Sequence, residues 1–247
     1  MLNSYYTIKK TGQAEQTIQK SRFITHMKRV TTENDAKEFI ETIKKEHWNA
    51  THNCSAYVIG ENDEVQKAND DGEPSGTAGV PMLNVLLKQK LKDTVVVVTR
   101  YFGGIKLGAG GLIRAYGSSV SVGIEEIGAV ERSLMQHYEV TCSYELLGKI
   151  ENELRQSTYT LIDINYAENV TFLTAAPVEE TTNYENWLVE ISNDRVTFNA
   201  TETSYVEEDR EKKDNPIMNK VRQISREIVK KGGSYGRRTT IKNTPTT

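Results

Sequence analysis

The sequence predicts an α+β protein with two domains and a basic C-terminal tail. Segments with the two-residue period of strands alternate with segments of helical period. This pattern starts again near residue 135, and the charge reverses at residue 210. The predicted parts are residues 1–134, 135–209 and 210–247. A chain of 247 residues is long enough for two ordinary domains.

The composition is typical of a globular protein, with 37% hydrophobic and 26% charged residues. The longest apolar run, Val95 to Val98, is far shorter than the ~20 residues of a membrane helix, so no membrane contact is expected. The first ten residues have no apolar signal core, which favours a cytoplasmic location. Cys54 and Cys142 are too far apart for a CxxC metal pair, and we expect no metal or cofactor.

The first domain begins with a predicted strand at residues 16–30 and a helix at residues 31–48. Thr32 can cap this helix, with Asp35 three residues later. A short strand then ends at Gly60, and residues 65–70 return as a second strand, which predicts a hairpin.

The first domain continues with a loop at residues 70–80 and a helix that has Pro81 near its first turn. Residues 93–102 contain four consecutive valines, and such a β-branched run suits a strand buried on both faces. Residues 111–128 form the next predicted helix, although Gly117 and Gly123 each cost it ~1 kcal/mol relative to alanine.

The second domain has the predicted element order β-α-β-β-α-β, which is that of a split βαβ, ferredoxin-like domain. This fold hosts many functions, so the order does not assign one. The predicted elements cover residues 133–144, 145–157, 159–167, 169–177, 178–192 and 195–206.

The tail at residues 210–247 has eleven basic and three acidic residues, which gives a net charge of +8. Residues 1–209 have twenty basic and thirty-one acidic residues, which gives a net charge of −11. An amphipathic helix is predicted from Asn215 to Gly232. Such a tail suits RNA contact or docking on the acidic body, and the composition favours neither. Its narrow apolar face argues against a membrane surface. The tail residues proposed for RNA contact are Arg222, Arg226, Arg237 and Arg238.

The stretch "TRYFGGIKLGAGGLIRAYG" lies at a predicted strand-to-helix junction. It has no GxxxxGK motif, and Ile113 replaces the last glycine of GxGxxG, so nucleotide-cofactor binding is not expected. One interpretation is an anion or RNA site at the helix N-terminus. The alternative is a tight turn with close packing, in which the basic residues pair with nearby carboxylates. The residues concerned are Arg100, Lys106 and Arg114, with Gly103, Gly104, Gly108, Gly110 and Gly111.

A second candidate is the loop "DDGEPSGTAG", whose acids and hydroxyls would suit a hydrolase that acts on a small molecule. Ordinary turn chemistry explains the same residues and is favoured. The residues are Asp70, Asp71, Glu73, Ser75 and Thr77. His52 and Cys54 share one face of a strand, but no third residue orients them as a catalytic pair.

Three segments resemble the IMPACT family, in its bacterial YigZ-like branch. They are "HWNATHNCSAYVIG", "KANDDGEPSGTAGVPML" and "VVVVTRYFGGIKLGAGGLIRAYG", in this order. The third is similar to the family signature at Arg100, Tyr101, Phe102, Gly103, Gly104, Leu107 and Gly108. The resemblance covers residues 1–209, and the basic tail departs from it.

The resemblance implies a first domain similar to the second domain of ribosomal protein S5 and a ferredoxin-like second domain. It also implies a non-enzymatic role in translation, with RNA, the ribosome or a translation factor as partner and no DNA specificity. The kinase regulation of eukaryotic members depends on an additional N-terminal domain, and we do not expect it here. No established catalytic residue is implied.

Overall fold

The computed structural model describes residues 1–210, which form two antiparallel sheets and five α-helices. The strands are β1 (Ser4–Ile8), β2 (Gly12–Ile18), β3 (Ser21–Arg29), β4 (His52–Ile59), β5 (Val65–Asn69), β6 (Thr94–Tyr101), β7 (Ala129–Cys142), β8 (Thr160–Tyr166), β9 (Val170–Pro177) and β10 (Thr197–Asp209). The helices are α1 (Glu33–Glu46), α2 (Gly79–Lys88), α3 (Gly108–Ile127), α4 (Tyr144–Gln156) and α5 (Thr181–Ser192), with a short 3₁₀ turn at Val178–Glu180.

None of these five helices is long and apolar enough to cross a membrane. The predicted tail helix, which contains Arg222 and Arg226, lies outside the described residues, as do Arg237 and Arg238 in the segment after it.

The first sheet has the strand order β2-β3-β6-β4-β5, which places β6 at its centre. Val95 and Val97 on one face of β6 pack under α1. Val96 and Val98 on the other face pack against the cluster formed with α2 and α3. All four valines are buried, which confirms the predicted burial on both faces.

Helix α1 begins as predicted, because the Thr32 hydroxyl accepts a hydrogen bond from the backbone N–H of Asp35 at 3.1 Å. Its buried stripe is Ala36, Ile40 and Ile43. This stripe covers one face of the sheet and leaves the charged side of the helix in solvent.

The second sheet has the order β10-β7-β9-β8, and α4 and α5 cover one of its faces. Its core contains Tyr138, Ile150, Phe172, Tyr184 and Leu188. The predicted β-α-β-β-α-β order of elements is confirmed from β7 to β10.

Strand β1 is absent from the sequence prediction and belongs to the second sheet. It pairs antiparallel with the start of β7, from Ser4 opposite Ser133 to Ile8 opposite Ala129. A five-residue strand whose partner lies more than a hundred residues away leaves little local signal.

The single strand predicted at residues 16–30 is wrong, because the structure has the hairpin β2–β3 there. The two-residue turn consists of Gln19 and Lys20, both with positive φ (44° and 64°). Asn-Gly or Asp-Gly normally marks such a turn, and neither dipeptide occurs at this position.

The two sheets meet around the guanidinium of Arg132, which lies 5.5 Å from the ring centre of Tyr5 and 4.7 Å from that of Tyr205. Glu207, at the end of β10, pairs with Arg29 of the first sheet at 2.6 Å and with Arg132 at 3.2 Å. The hydrogen bond from Arg29 lowers the pKa of Glu207. The predicted division between residues 134 and 135 falls inside β7.

Helix α3 packs so closely on β3 that one of its glycines is required. A Cβ on Gly123 would lie 2.7 Å from Thr25 Cγ2 and 3.2 Å from Met27 Sδ. A Cβ on Gly117, in the same helix, would lie 3.9 Å from Val85 Cγ2, an ordinary contact. Gly123 therefore permits close packing, whereas Gly117 is replaceable.

We predict that Gly123→Ala lowers the free energy of unfolding by about 1–3 kcal/mol, because the new methyl group overpacks the α3–β3 contact. Gly117→Ala is the matched control and should raise stability by up to about 1 kcal/mol through helix propensity. Urea denaturation measures both. Equal stabilities of the two variants would contradict the packing described for Gly123.

Candidate functional site

The glycine-rich segment and the acidic loop, the two candidate sites of the sequence analysis, both lie at the carboxyl end of β6. Tyr101 and Arg100 there pair with the first residues of β3 and β4. Helices α2 and α3 both begin near this end, after the loops at residues 70–78 and 102–107. We call this end of the first sheet, with its two loops, the β6 rim.

A buried ion pair lies beneath the β6 rim. Arg100 Nη1 donates to Glu73 Oε1 at 2.6 Å, and the two residues are 5% and 8% exposed. The Tyr116 hydroxyl donates to the same oxygen at 2.8 Å, and burial raises the pKa of Tyr116. Since removing a charge from water is costly, this carboxylate needs both donors.

Arg100 is held from its other sides as well. Its guanidinium lies 5.5 Å from the ring centres of both Phe23 and Phe102. The Ser21 hydroxyl, 3.5 Å from Nη2, also accepts the backbone N–H of Gly103 at 3.2 Å. This burial does not fit the prediction that Arg100 contacts an anion or RNA, and it matches the alternative in which basic residues pair with nearby carboxylates.

Asp70 caps helix α2 from within the loop. Its carboxylate accepts backbone N–H groups from Gly76 at 2.8 Å, Ala78 at 3.0 Å and Gly79 at 2.8 Å. Burial alone would raise the pKa of Asp70, but these three hydrogen bonds together lower it. Asp70 thus stabilises the loop and the start of α2.

The remaining loop residues have structural partners or lie in solvent. Asp71 pairs with Lys44 at 2.9 Å and accepts the backbone N–H of Asn53 at 2.7 Å. The buried Thr77 hydroxyl donates to the Pro74 carbonyl at 2.6 Å. Ser75 is exposed and has no base beside it among the contacts of residues 1–210. The acids therefore hold the loop in place, which argues against a hydrolase site.

The structure gives His52 and Cys54 separate partners. His52 Nδ1 lies 2.8 Å from the Asp71 carbonyl oxygen, and its Nε2 lies 3.8 Å from Glu73 Oε2. The Cys54 thiol donates to the Asp70 carbonyl at 3.0 Å. Burial raises the pKa of Cys54 to about 12, so the thiol is a poor nucleophile at neutral pH.

The described residues, 1–210, contain no group of three or more His, Cys, Asp or Glu side chains that could hold a metal ion. Two other histidines, His26 and His47, are in contact, with ring centres 4.9 Å apart and ring planes tilted by 46°. Burial, and secondarily His47, lowers the pKa of His26 to about 4, which keeps this ring neutral in the folded protein.

The glycine-rich segment of the β6 rim lies at the surface. Gly103 is required because a Cβ there would lie 2.0 Å from the Lys20 backbone. Gly104 and Gly108 have positive φ values of 87° and 68°. Helix α3 begins at Gly108, three residues before the predicted start, so Gly108, Gly110 and Gly111 form its first turn.

This first turn of α3 has no side-chain cap and no acidic residue. Lys106 and Arg114 beside it are exposed, and they have no hydrogen bond or ion pair within the part of the chain that the structure describes. Peptide N–H groups and two unpaired cations therefore face solvent together, in an arrangement that suits an anionic ligand.

The sequence analysis missed several contributors to this site. Tyr116 reads as one more apolar residue of a helix stripe, yet its hydroxyl binds Glu73. A buried tyrosine normally needs a hydrogen-bond partner for its hydroxyl, so a tyrosine in the apolar stripe indicates a polar partner nearby. Ser21 gave no signal, because its role depends on the β2–β3 turn that was not predicted.

The comparisons with known proteins agree with this architecture. The family model for the Impact N-terminal domain matches residues 19–124, and that for a domain of unknown function, DUF1949, matches residues 140–195. The IMPACT family member YvyE of Bacillus subtilis is 61% identical over 207 residues, which cover 84% of this chain and 95% of YvyE. The chain belongs to the IMPACT family.

A second relative supports this assignment, and one solved structure is similar to the chain. The IMPACT family member YigZ of Escherichia coli is 36% identical over 187 residues, which cover 75% of this chain and 92% of YigZ. A crystal structure of a hypothetical protein, 32% identical, covers 82% of this IMPACT family protein and 99% of its own chain, with a TM-score of 0.52.

We predict that Asp70→Asn destabilises the protein by about 1–3 kcal/mol at pH 7, because an amide replaces a carboxylate that accepts three N–H groups. The folded-state pKa of Asp70 lies below its unfolded value. Its contribution is therefore complete above the unfolded pKa of about 3.9 and disappears as the pH falls through the folded pKa. Urea denaturation from pH 7 to pH 3 should show the two proteins converging. A constant difference would contradict this role.

We predict that Glu73→Ala costs about 3–5 kcal/mol, because it leaves the buried Arg100 guanidinium without a carboxylate. The double variant Glu73→Leu/Arg100→Met should lose less than either truncation alone, since no buried charge remains. Urea unfolding of the single variants Glu73→Ala and Arg100→Ala and of the double variant measures this. Additive losses would show that the two side chains are not coupled.

Proposed function

We propose that this protein is a non-enzymatic regulator associated with translation that contacts RNA, the ribosome or a translation factor. The observation that supports this best is the exposed first turn of α3 flanked by the unpaired Lys106 and Arg114. Membership of the IMPACT family and the implied link of that family to translation point in the same direction. A cytoplasmic location follows from this role as part of the proposal.

The charge distribution favours the first half of the chain for RNA contact. Residues 1–134 have seventeen basic and sixteen acidic residues, a net charge of +1. Residues 135–209 have three basic and fifteen acidic residues, a net charge of −12. Phosphate groups are attracted to cations and repelled by carboxylates, so the β6 rim is a better RNA surface than the second sheet.

We also infer the finer fold assignments that the resemblance implies. The sheet order β10-β7-β9-β8 with two helices on one face supports a ferredoxin-like second domain. The helices on both faces of the first sheet are compatible with an S5-like first domain. The separate matches at residues 19–124 and 140–195 support the proposed domain division near residue 134.

The hydrolase alternative has less support. Asp70, Asp71 and Glu73 each have backbone or ion-pair partners that account for them. No second function is proposed from this loop.

We predict that the full chain binds RNA with an affinity that falls steeply with salt. Lys106→Ala/Arg114→Ala should weaken binding and reduce the slope of log K against log salt by about one per lost phosphate contact. The matched control Lys10→Ala/Lys88→Ala removes two exposed cations remote from the β6 rim and should change little. Filter binding over a salt series measures these effects.

Absence of both salt-dependent RNA binding and ribosome co-sedimentation would overturn the proposal. The variant Arg222→Ala/Arg226→Ala, measured in the same series, separates a contribution of the tail from that of the β6 rim.

A further inference from the structure

Two aromatic side chains near the carboxyl end of β6 are largely exposed, although one of them, Phe102, also packs on the Arg100 guanidinium. Trp48 is 82% exposed in the segment between α1 and β4, and Phe102 is 47% exposed directly after β6. Large aromatic side chains normally stabilise a fold through burial, and exposed ones are typical of binding surfaces.

The segment that contains Trp48 is nevertheless held in a fixed position. His47 Nδ1 lies 2.9 Å from the Tyr101 hydroxyl, which in turn donates to Asn49 Oδ1 at 3.4 Å. Both chain neighbours of Trp48 thus meet the same tyrosine at the end of β6. The backbone of Trp48 is therefore fixed on the β6 rim, while its indole stays in solvent.

Two more hydrogen bonds connect this segment to the strand end. The Thr51 N–H donates to the Arg100 carbonyl at 2.9 Å, and the Phe102 N–H donates to Thr51 Oγ1 at 3.0 Å. The backbones at Trp48 and Phe102 are consequently both attached to the end of β6, although they are far apart in sequence. A rigid aromatic side chain loses little conformational entropy when a ligand stacks on it.

Exposed cations lie at the same end of the first sheet. The Arg22 guanidinium lies 5.7 Å from the ring centre of Tyr101, but it pairs with Glu15 at 2.7 Å. Lys20 lies beside the glycine-rich loop, because the Gly103 backbone packs directly on it. With Lys106 and Arg114, the β6 rim combines aromatic faces with several positive charges. Single-stranded nucleic acid is recognised by this combination of base stacking and phosphate contact.

We propose that the β6 rim binds single-stranded RNA, with unpaired bases stacked on Trp48 and Phe102 and phosphates on Lys20, Lys106 and Arg114. This inference rests on the RNA contact of the proposed function and specifies the form of the RNA. In a duplex the base faces are already stacked on one another, so a duplex can use only the cations. Single strands therefore bind more tightly than duplexes.

The test uses the fluorescence of Trp48 in the full chain. The protein has two tryptophans, and Trp187 packs against Tyr159 and Tyr184 in the second half. The conservative variant Trp187→Phe leaves Trp48 as the sole indole. A short oligouridine should quench its emission, whereas the same strand annealed to oligoadenosine should bind more weakly and without quenching.

Substitutions give a second, independent readout. Trp48→Ala should weaken oligouridine binding about 5- to 150-fold at unchanged salt slope, and Trp48→Phe should restore part of the loss. Phe102→Ala should behave like Trp48→Ala once a thermal melt confirms its fold. The matched control Tyr166→Ala removes a side chain that is 61% exposed in the acidic half and should have no effect.

The outcomes separate this inference from the proposed function. Salt-dependent RNA binding that is unaffected by Trp48→Ala would overturn the stacking role and leave RNA contact intact. Equal affinity for duplex and single strand, without quenching, would do the same. If Trp48→Ala abolishes binding of a translation factor and leaves RNA binding unchanged, the surface binds protein and the inference is wrong. No RNA binding at all removes the proposed RNA contact and this inference together.

Discussion

The two-sided burial of β6 is the constraint on which the first half of the molecule depends. Its four valines need apolar cover on both faces, so α1 must lie on one side and α2 and α3 on the other. Both helices on the second side begin near the carboxyl end of β6. The loops that lead into α2 and α3 are thereby brought together, although thirty residues separate them in sequence.

The loop rich in acids shows how the same residue types serve structure instead of chemistry. Asp70 accepts hydrogen bonds from backbone N–H groups at the start of α2 that have no acceptor within the helix. Glu73 neutralises Arg100, which is buried in the sheet. Glu73 is buried in its ion pair, and the Asp70 carboxylate accepts three backbone N–H groups. What remains available on the β6 rim is a set of cations, peptide N–H groups and aromatic faces.

The helices, the central strand and the order of elements in the second half could be predicted because each has a strong local pattern. The valine run of β6 and the Thr32 cap of α1 are clear examples. Strand β1 could not be predicted, since its partner β7 lies more than a hundred residues away. The turn at Gln19 and Lys20 could not be predicted either, since neither residue is typical of a positive-φ turn. In the site, the types of residue were recognisable, but burial decided their roles. Arg100 and Arg114 look alike in sequence, yet one lies inside an ion pair and the other in solvent.

The position of β1 has a consequence for synthesis of the chain. Strand β1 precedes the first sheet in the chain but pairs with β7, so it stays without this partner while the first sheet is translated. Its edge must remain unpaired, or be shielded, until Ala129 and the residues after it emerge. Strand β1 can therefore complete the second sheet only after the residues of the first sheet have been made.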